Sequence, residues 1–187
     1  MTTPRLHTDT QLAKGLRQLF VELEQRLDLE RPMNVYLAGG MAVHLYTASR
    51  VTTDVDAEFA GRVLLPQDLL VDVTLEDGTP QVVYLDTNYN STFALMHEDY
   101  QLDAIPAEFG LQQLQLFVLS PTDLAVSKIA RFGDIDKQDI QALVANGLTT
   151  LAAIELRALQ ALGGYVGRPE GLLLNLRDVL QMPPSGH

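Results

Sequence analysis

Leu12, Leu16, Leu19, Phe20, Leu23 and Leu27 recur at helical spacing, so an amphipathic helix is predicted from Gln11 to Leu27, capped by Thr8 or Asp9 and ended by Pro32. Val35-Tyr36-Leu37-Ala38 then reads as an apolar strand running into Gly39-Gly40. A short helical segment follows from Met41 to Tyr46, and a second β-prone run ends at Phe59. Between Leu64 and Leu75 the signals divide. Pro66 and Asp68 favour a helix start, whereas Val71, Val73 and Thr74 favour a strand, and a short helix giving way to extended chain is expected. Glu76-Asp77-Gly78 reads as a turn and Gln81 to Leu85 as a strand. Phe93 to Met96 and Leu102 to Ile105 read as further short extended pieces.

From Leu114 to Leu119 the pattern alternates and then runs apolar into Ser120-Pro121-Thr122-Asp123, a helix start with Ser120 as cap and Pro121 at the first position. Helices are predicted through Phe132, from about Asp136 to Val144, from Leu151 to Leu162 behind a Thr149 or Thr150 cap, and from Pro169 to Leu180. Gly163-Gly164 follows a helix rather than a strand, so it reads as a helix end. The organisation expected is an N-terminal helix over residues 1–29, a core over 30–120 and a helical part over 121–187.

A hydrophobic content of 47% over 187 residues supplies a core for one domain with a small helical appendage. No apolar run is long enough to span a bilayer, and MTTPRLHTDT lacks the apolar centre of a signal peptide, so a cytoplasmic protein with no membrane partner is expected. The absence of cysteine excludes disulfides, thiolate metal sites and a cysteine nucleophile. His97 lies beside two acids, but no H-x-x-x-H pair exists; it reads as a surface residue and a zinc site is not expected. The net charge of −11 is uneven: residues 63–127 hold ten Asp/Glu and no Lys/Arg. That stretch repels a phosphate backbone, so RNA would have to dock through the terminal thirds.

The candidate chemistry lies between Ala38 and Asp56. Glycines at 39 and 40 allow a tight turn and close ligand approach, and a helix start behind them offers N–H groups to phosphate. Thirteen residues separate Gly40 from Asp54. In a strand, Asp54 and Asp56 project to one side with Val55 opposite, and two carboxylates so placed suit a hard divalent ion such as Mg²⁺ or Mn²⁺. There is no P-loop pattern and no G-x-G-x-x-G fingerprint.

This order of elements resembles the nucleotidyltransferase superfamily related to DNA polymerase beta, on Ala38, Gly39, Gly40, Asp54 and Asp56. The R-x-x-T-D-x-D pattern of Arg50, Thr53, Asp54 and Asp56 is most similar to the branch holding AbiEii-type toxins and their uncharacterised bacterial relatives. So is the S-P-x-D-L-A-x-x-K run that ends at Lys128. The resemblance implies an α/β (α+β) fold, a mixed sheet flanked by helices with a small C-terminal helical part. It implies Asp54 and Asp56 as metal ligands, with Asp103 as the third catalytic carboxylate and Asp86 as its rival. Gly39, Gly40, Arg50, Thr53 and Lys128 would contact the nucleotide.

The activity so implied is Mg²⁺-dependent transfer of a nucleoside monophosphate from a nucleoside triphosphate to an acceptor hydroxyl, releasing pyrophosphate. The acceptor would be RNA (tRNA above all), a partner protein or a small molecule such as an aminoglycoside, within a toxin–antitoxin or defence system that supplies a cognate antitoxin or toxin. The competing class is a catalytically degenerate module that binds nucleotide or a partner, marked by the lack of any third acid within metal reach of Asp54 and Asp56.

Overall fold

The computed structural model describes residues 4–183, which divide into two compact units. The first takes the chain up to Tyr89 together with Ala104–Val118; the second takes Asn90–Asp103 and the chain from Leu119 onward.

In the first unit, helix α1 (Gln11–Arg26) starts where the Thr10 hydroxyl accepts the Ala13 N–H at 3.1 Å, so the cap is Thr10 rather than Thr8 or Asp9. Its buried face is the one the spacing predicts: Leu12, Leu16, Leu19, Phe20 and Leu23. Strand β1 (Met33–Leu37) leads into helix α2 (Gly39–Thr47), and two short strands follow, β2 (Asp54–Val55) and β3 (Ala57–Phe59). Strands β4 (Leu70–Thr74), β5 (Pro80–Leu85), β6 (Ile105–Pro106) and β7 (Leu114–Val118) complete two sheets. One has the order β3-β1-β7-β6, with β1 parallel to β7 and antiparallel to β3. The other has the order β2-β5-β4, with β2 parallel and β4 antiparallel to β5.

The β-prone run through Asp54-Val55-Asp56 is therefore divided. β2 belongs to one sheet, β3 to the other, and Asp56 sits at the passage between them. β1 lies between two neighbours and buries Val35, Tyr36 and Leu37 in succession, the continuous apolar run of an interior strand. β4 and β5 instead alternate, burying Val71, Val73, Val83 and Leu85. α1 packs on that apolar side so closely that a Cβ at Gly15 would overlap a Val73 methyl. Glu24 on α1 accepts the N–H groups of Gln112, Gln113 and Leu114 at 3.0, 2.7 and 2.7 Å, fixing the start of β7. Burial pushes its carboxyl up, but these three donors outweigh it and hold the pKa below the ordinary value.

The helix expected after Leu64 does not form; only the β4 strand does. There the alternation of Val71 and Val73 against α1 overrides the Pro66 start signal. The extended pieces expected at Phe93 to Met96 and Leu102 to Ile105 reduce to a single turn of 3₁₀-helix, Ser91–Phe93, and to the two residues of β6. In the second unit the helices are α3 (Pro121–Ser127), α4 (Asp134–Ala145), α5 (Leu151–Ala161) and α6 (Pro169–Leu180). α3 stops short of Phe132, because Lys128 is its C-cap and the chain turns at Phe132 with φ +49°. Ser120 caps α3 and Thr150 caps α5. Among the described residues no helix is long and apolar enough to cross a membrane. The fold is the mixed α+β architecture that the sequence leads one to expect, with two mixed sheets, flanking helices and a helical C-terminal part.

Candidate active site

The centre of the first unit is the junction of β1 with α2. Ala38 leaves the strand in extended conformation and donates its N–H to the Asp56 carbonyl at 2.9 Å, tying the turn to the carboxylate segment. Gly39 opens α2 with φ +63°, and a Cβ there would fall inside the Asp56 carboxylate. A Cβ at Gly40 would lie 3.1 Å from the Thr52 hydroxyl and 3.3 Å from the Arg50 guanidinium. Gly39 is thus required by the Asp56 carboxylate as much as by the backbone turn, whereas at Gly40 the Thr52 and Arg50 side chains would have to give by only a few tenths of an ångström. No side chain caps the N-terminus of α2.

Asp54, Asp56 and Asp86 converge, each offering one carboxylate oxygen, and these oxygens lie within 4.8 Å of one another. All three are half-buried. Asp54 and Asp86 are aimed by local hydrogen bonds. The Thr52 hydroxyl donates to Asp54 Oδ1 at 2.6 Å. Asp86 leaves β5 with its N–H on the Val55 carbonyl at 3.0 Å, and its Oδ1 accepts the Asn88 N–H at 2.9 Å in a tight turn. A set of three carboxylates has the hard oxygen donors that Mg²⁺ or Mn²⁺ takes, and could hold one.

Behind this centre, buried His44 spans two hydrogen bonds. Its Nδ1–H donates to the Arg50 carbonyl at 2.7 Å, which leaves Nε2 to accept from the Thr10 hydroxyl at 2.7 Å. Desolvation holds its pKa below the ordinary value despite the Arg50 carbonyl, so the neutral ring links the α1 cap to the segment carrying Arg50 and Thr52.

Of the two aspartates considered for the third carboxylate, the structure brings Asp86 to Asp54 and Asp56. Asp103 lies in a turn of the second unit, with its Oδ2 2.6 Å from Arg157 Nη2. Thr53 is exposed and contributes its carbonyl to the Tyr84 N–H, whereas its neighbour Thr52 faces the acids. Arg50 flanks Gly40 and donates to the Val51 carbonyl. Lys128 is neither solvated nor open: 5% exposed, it stands 2.8 Å from Asp139 and 3.8 Å from Asp136. Asp136 also takes a two-pronged contact from Arg131 at 2.7 and 2.8 Å. His97, expected at the surface, is only partly exposed and accepts the Asp99 N–H on Nδ1 at 3.1 Å.

Thr52, His44 and Arg157 are missing from the sequence reading. Thr52 could have been found, since it precedes Asp54 by two residues and so shares the face that Asp54 and Asp56 were assigned. His44 and Arg157 carry no local signal, because their side-chain partners are distant in sequence: Thr10 lies 34 residues from His44, and Asp123 and Asp103 lie 34 and 54 residues from Arg157.

No curated protein matches the chain. The model of the family described as nucleotidyltransferase of unknown function (DUF6036) matches residues 14–162, a span that includes the glycine turn, all three converging aspartates and Lys128 and stops before α6. The chain belongs to that family of nucleotidyltransferases.

Proposed function

We propose that the protein transfers a nucleoside monophosphate from a nucleoside triphosphate to an acceptor hydroxyl, in a reaction dependent on Mg²⁺ or Mn²⁺. The observation that carries the reading is the convergence of Asp54, Asp56 and Asp86 beside the Gly39-Gly40 turn. A divalent ion held by these carboxylates would supply the positive charge that the triphosphate and the departing pyrophosphate require. Gly39 and Gly40 let phosphate oxygens approach the uncapped N–H groups of α2, and Arg50 beside Gly40 adds a cation to the same turn. Thr52 and the turn at Asn88 keep Asp54 and Asp86 aimed. The presence of Asp86 within reach of the other two acids favours an enzyme over a degenerate binding module. A place in a toxin–antitoxin or defence system is supported by sequence pattern alone, that of Arg50, Thr53, Asp54 and Asp56 and the run that ends at Lys128.

The test is incubation of the purified chain with each α-labelled triphosphate, Mg²⁺ or Mn²⁺, and bacterial RNA and protein extract, with Asp56→Ala as the control. Transfer by the unaltered chain and a loss of about 100-fold or more in the variant is expected. Equal labelling by the two would remove the site assignment.

A further inference from the structure

Strand register sets what surrounds the three acids. Asp54 on β2 pairs with Tyr84 on β5, and Tyr84 pairs with Leu70 on β4, so these side chains form one row on one face of the three-stranded sheet. Val82 and Asp86 lie two residues either side of Tyr84 on the same face, and Asp72 pairs with Val82. α1 covers the opposite face, through Val73 and Val83. The acid-bearing face therefore continues outward as an open patch: Leu70 is 55% exposed, Val82 38% and Tyr84 43%.

We propose that, on the transferase reading above, this patch docks the acceptor, and that the acceptor is a basic polypeptide segment bearing a hydroxyl side chain. Direction comes from the chemistry. In-line displacement puts the entering and leaving oxygens on opposite sides of phosphorus. Gly39 abuts Asp56, so phosphates at the glycine turn leave the entry side over Asp86 and β5, where Tyr84 and Leu70 lie.

The class comes from the charge. β4, β5 and Asp86 fall within residues 63–127, which hold ten Asp/Glu and no Lys/Arg, so a ribose-phosphate chain would meet no cation from those strands. A Lys or Arg of a polypeptide meets Asp72 with its charge, lays its methylenes on Val82 and Leu70, and has the Tyr84 ring available for cation–π contact. In the step itself the side-chain oxygen bonds to the α-phosphorus and the bond to the bridging oxygen breaks, its electron pair leaving on pyrophosphate. The hydroxyl proton passes to the Asp86 carboxylate and on to solvent.

The experiment uses the full chain with α-labelled triphosphates and Mn²⁺, offering in turn a random Lys–Tyr copolymer, a random Glu–Tyr copolymer and a single-stranded RNA oligonucleotide with a free terminal ribose hydroxyl. Metal-dependent binding of the triphosphate is measured alongside. The Lys–Tyr copolymer is expected to take about tenfold more label than the Glu–Tyr copolymer, the size of one good charge or cation–π contact. Asp72→Lys should erase that preference. Tyr84→Ala should raise KM for the Lys–Tyr copolymer about tenfold while KM for the triphosphate holds. Label on the RNA alone, equal labelling of the two copolymers, or an unchanged preference in Asp72→Lys overturns the proposal. Triphosphate binding without transfer to any of the three probes overturns the acceptor class and leaves the nucleotide site standing. Absence of triphosphate binding fells the transferase reading along with it.

Discussion

In the second unit Asp123, Asp136 and Asp139 are almost inaccessible, and each faces a cation of the chain, whereas Asp54, Asp56 and Asp86 of the first unit are half-buried and converge on one another. Asp123 is gripped by Arg157 at 2.7 and 3.0 Å, Asp136 by Arg131, and Asp139 by Lys128. The bonds that aim Asp54 and Asp86 come instead from a hydroxyl and a backbone N–H, neutral donors that orient a carboxylate without cancelling its charge. A buried carboxylate survives where its counter-charge is built in, and such a group is architecture. Asp54 and Asp86, held by such neutral donors beside Asp56, keep their charge for a cation that arrives with a ligand.

That contrast is broken most forcefully at Lys128. Lys128→Met leaves Asp139 buried beside an apolar side chain, and a loss of about 3–5 kcal/mol in urea denaturation is expected. Changing Asp139→Leu in the same chain should restore most of it, since a buried pair exchanged for packed apolar groups is close to neutral. If Lys128 serves the nucleotide instead, the single variant keeps its stability and loses triphosphate affinity. The next effect separates Asp86 from Asp103. Asp86→Ala should lower nucleotidyl transfer by about 100-fold or more, as loss of a group that fixes a metal does. Asp103→Ala gives up a half-exposed contact with Arg157, worth under about 1 kcal/mol, and should leave the rate within a few-fold. The opposite ranking would return Asp103 to the site.

The same contrast marks what could be read in the chain. The glycine turn and the D-x-D pair were legible because both are local: a spacing of two residues keeps Asp54 and Asp56 close even though the strand breaks at Asp56. The buried stripe of α1 and the Ser120 start of α3 were legible for the same reason. Asp86 against Asp103 was not, since both follow apolar residues and only the pairing of β5 with β2 decides which one reaches Asp54. Nor could the pattern reveal that Lys128 is buried. The resemblance implies a lysine that contacts the nucleotide, whereas the acids of the following helix are folded onto it. Charge spacing reports composition, while the counter-ion is chosen by tertiary packing.

The smallest effect tests the support behind the first unit's acids. His44 titrates against its fold: burial lowers its pKa, helped by His7 and opposed by the Arg50 carbonyl and Glu76. Below the ordinary histidine value, about 6.5, the unfolded chain binds the proton more readily than the folded one. The contribution of the neutral ring is therefore whole above that pH and is lost as pH falls through the lower, folded value. Protonation also turns Nε2 from acceptor into donor, so the Thr10 hydroxyl must accept from both His44 and Ala13 and turn its own hydrogen elsewhere. Urea midpoints measured from about pH 8 to 5 should fall in the acid half for the unaltered chain and fall less for His44→Gln. Thr10→Val should cost about 1 kcal/mol across the range, because it removes the helix cap as well. Triphosphate affinity should weaken in the same acid window, because the segment held by His44 carries Arg50 and Thr52 to the glycine turn. Matching profiles for the unaltered chain and His44→Gln would show that the acids are aimed by Thr52 and Asn88 without this support.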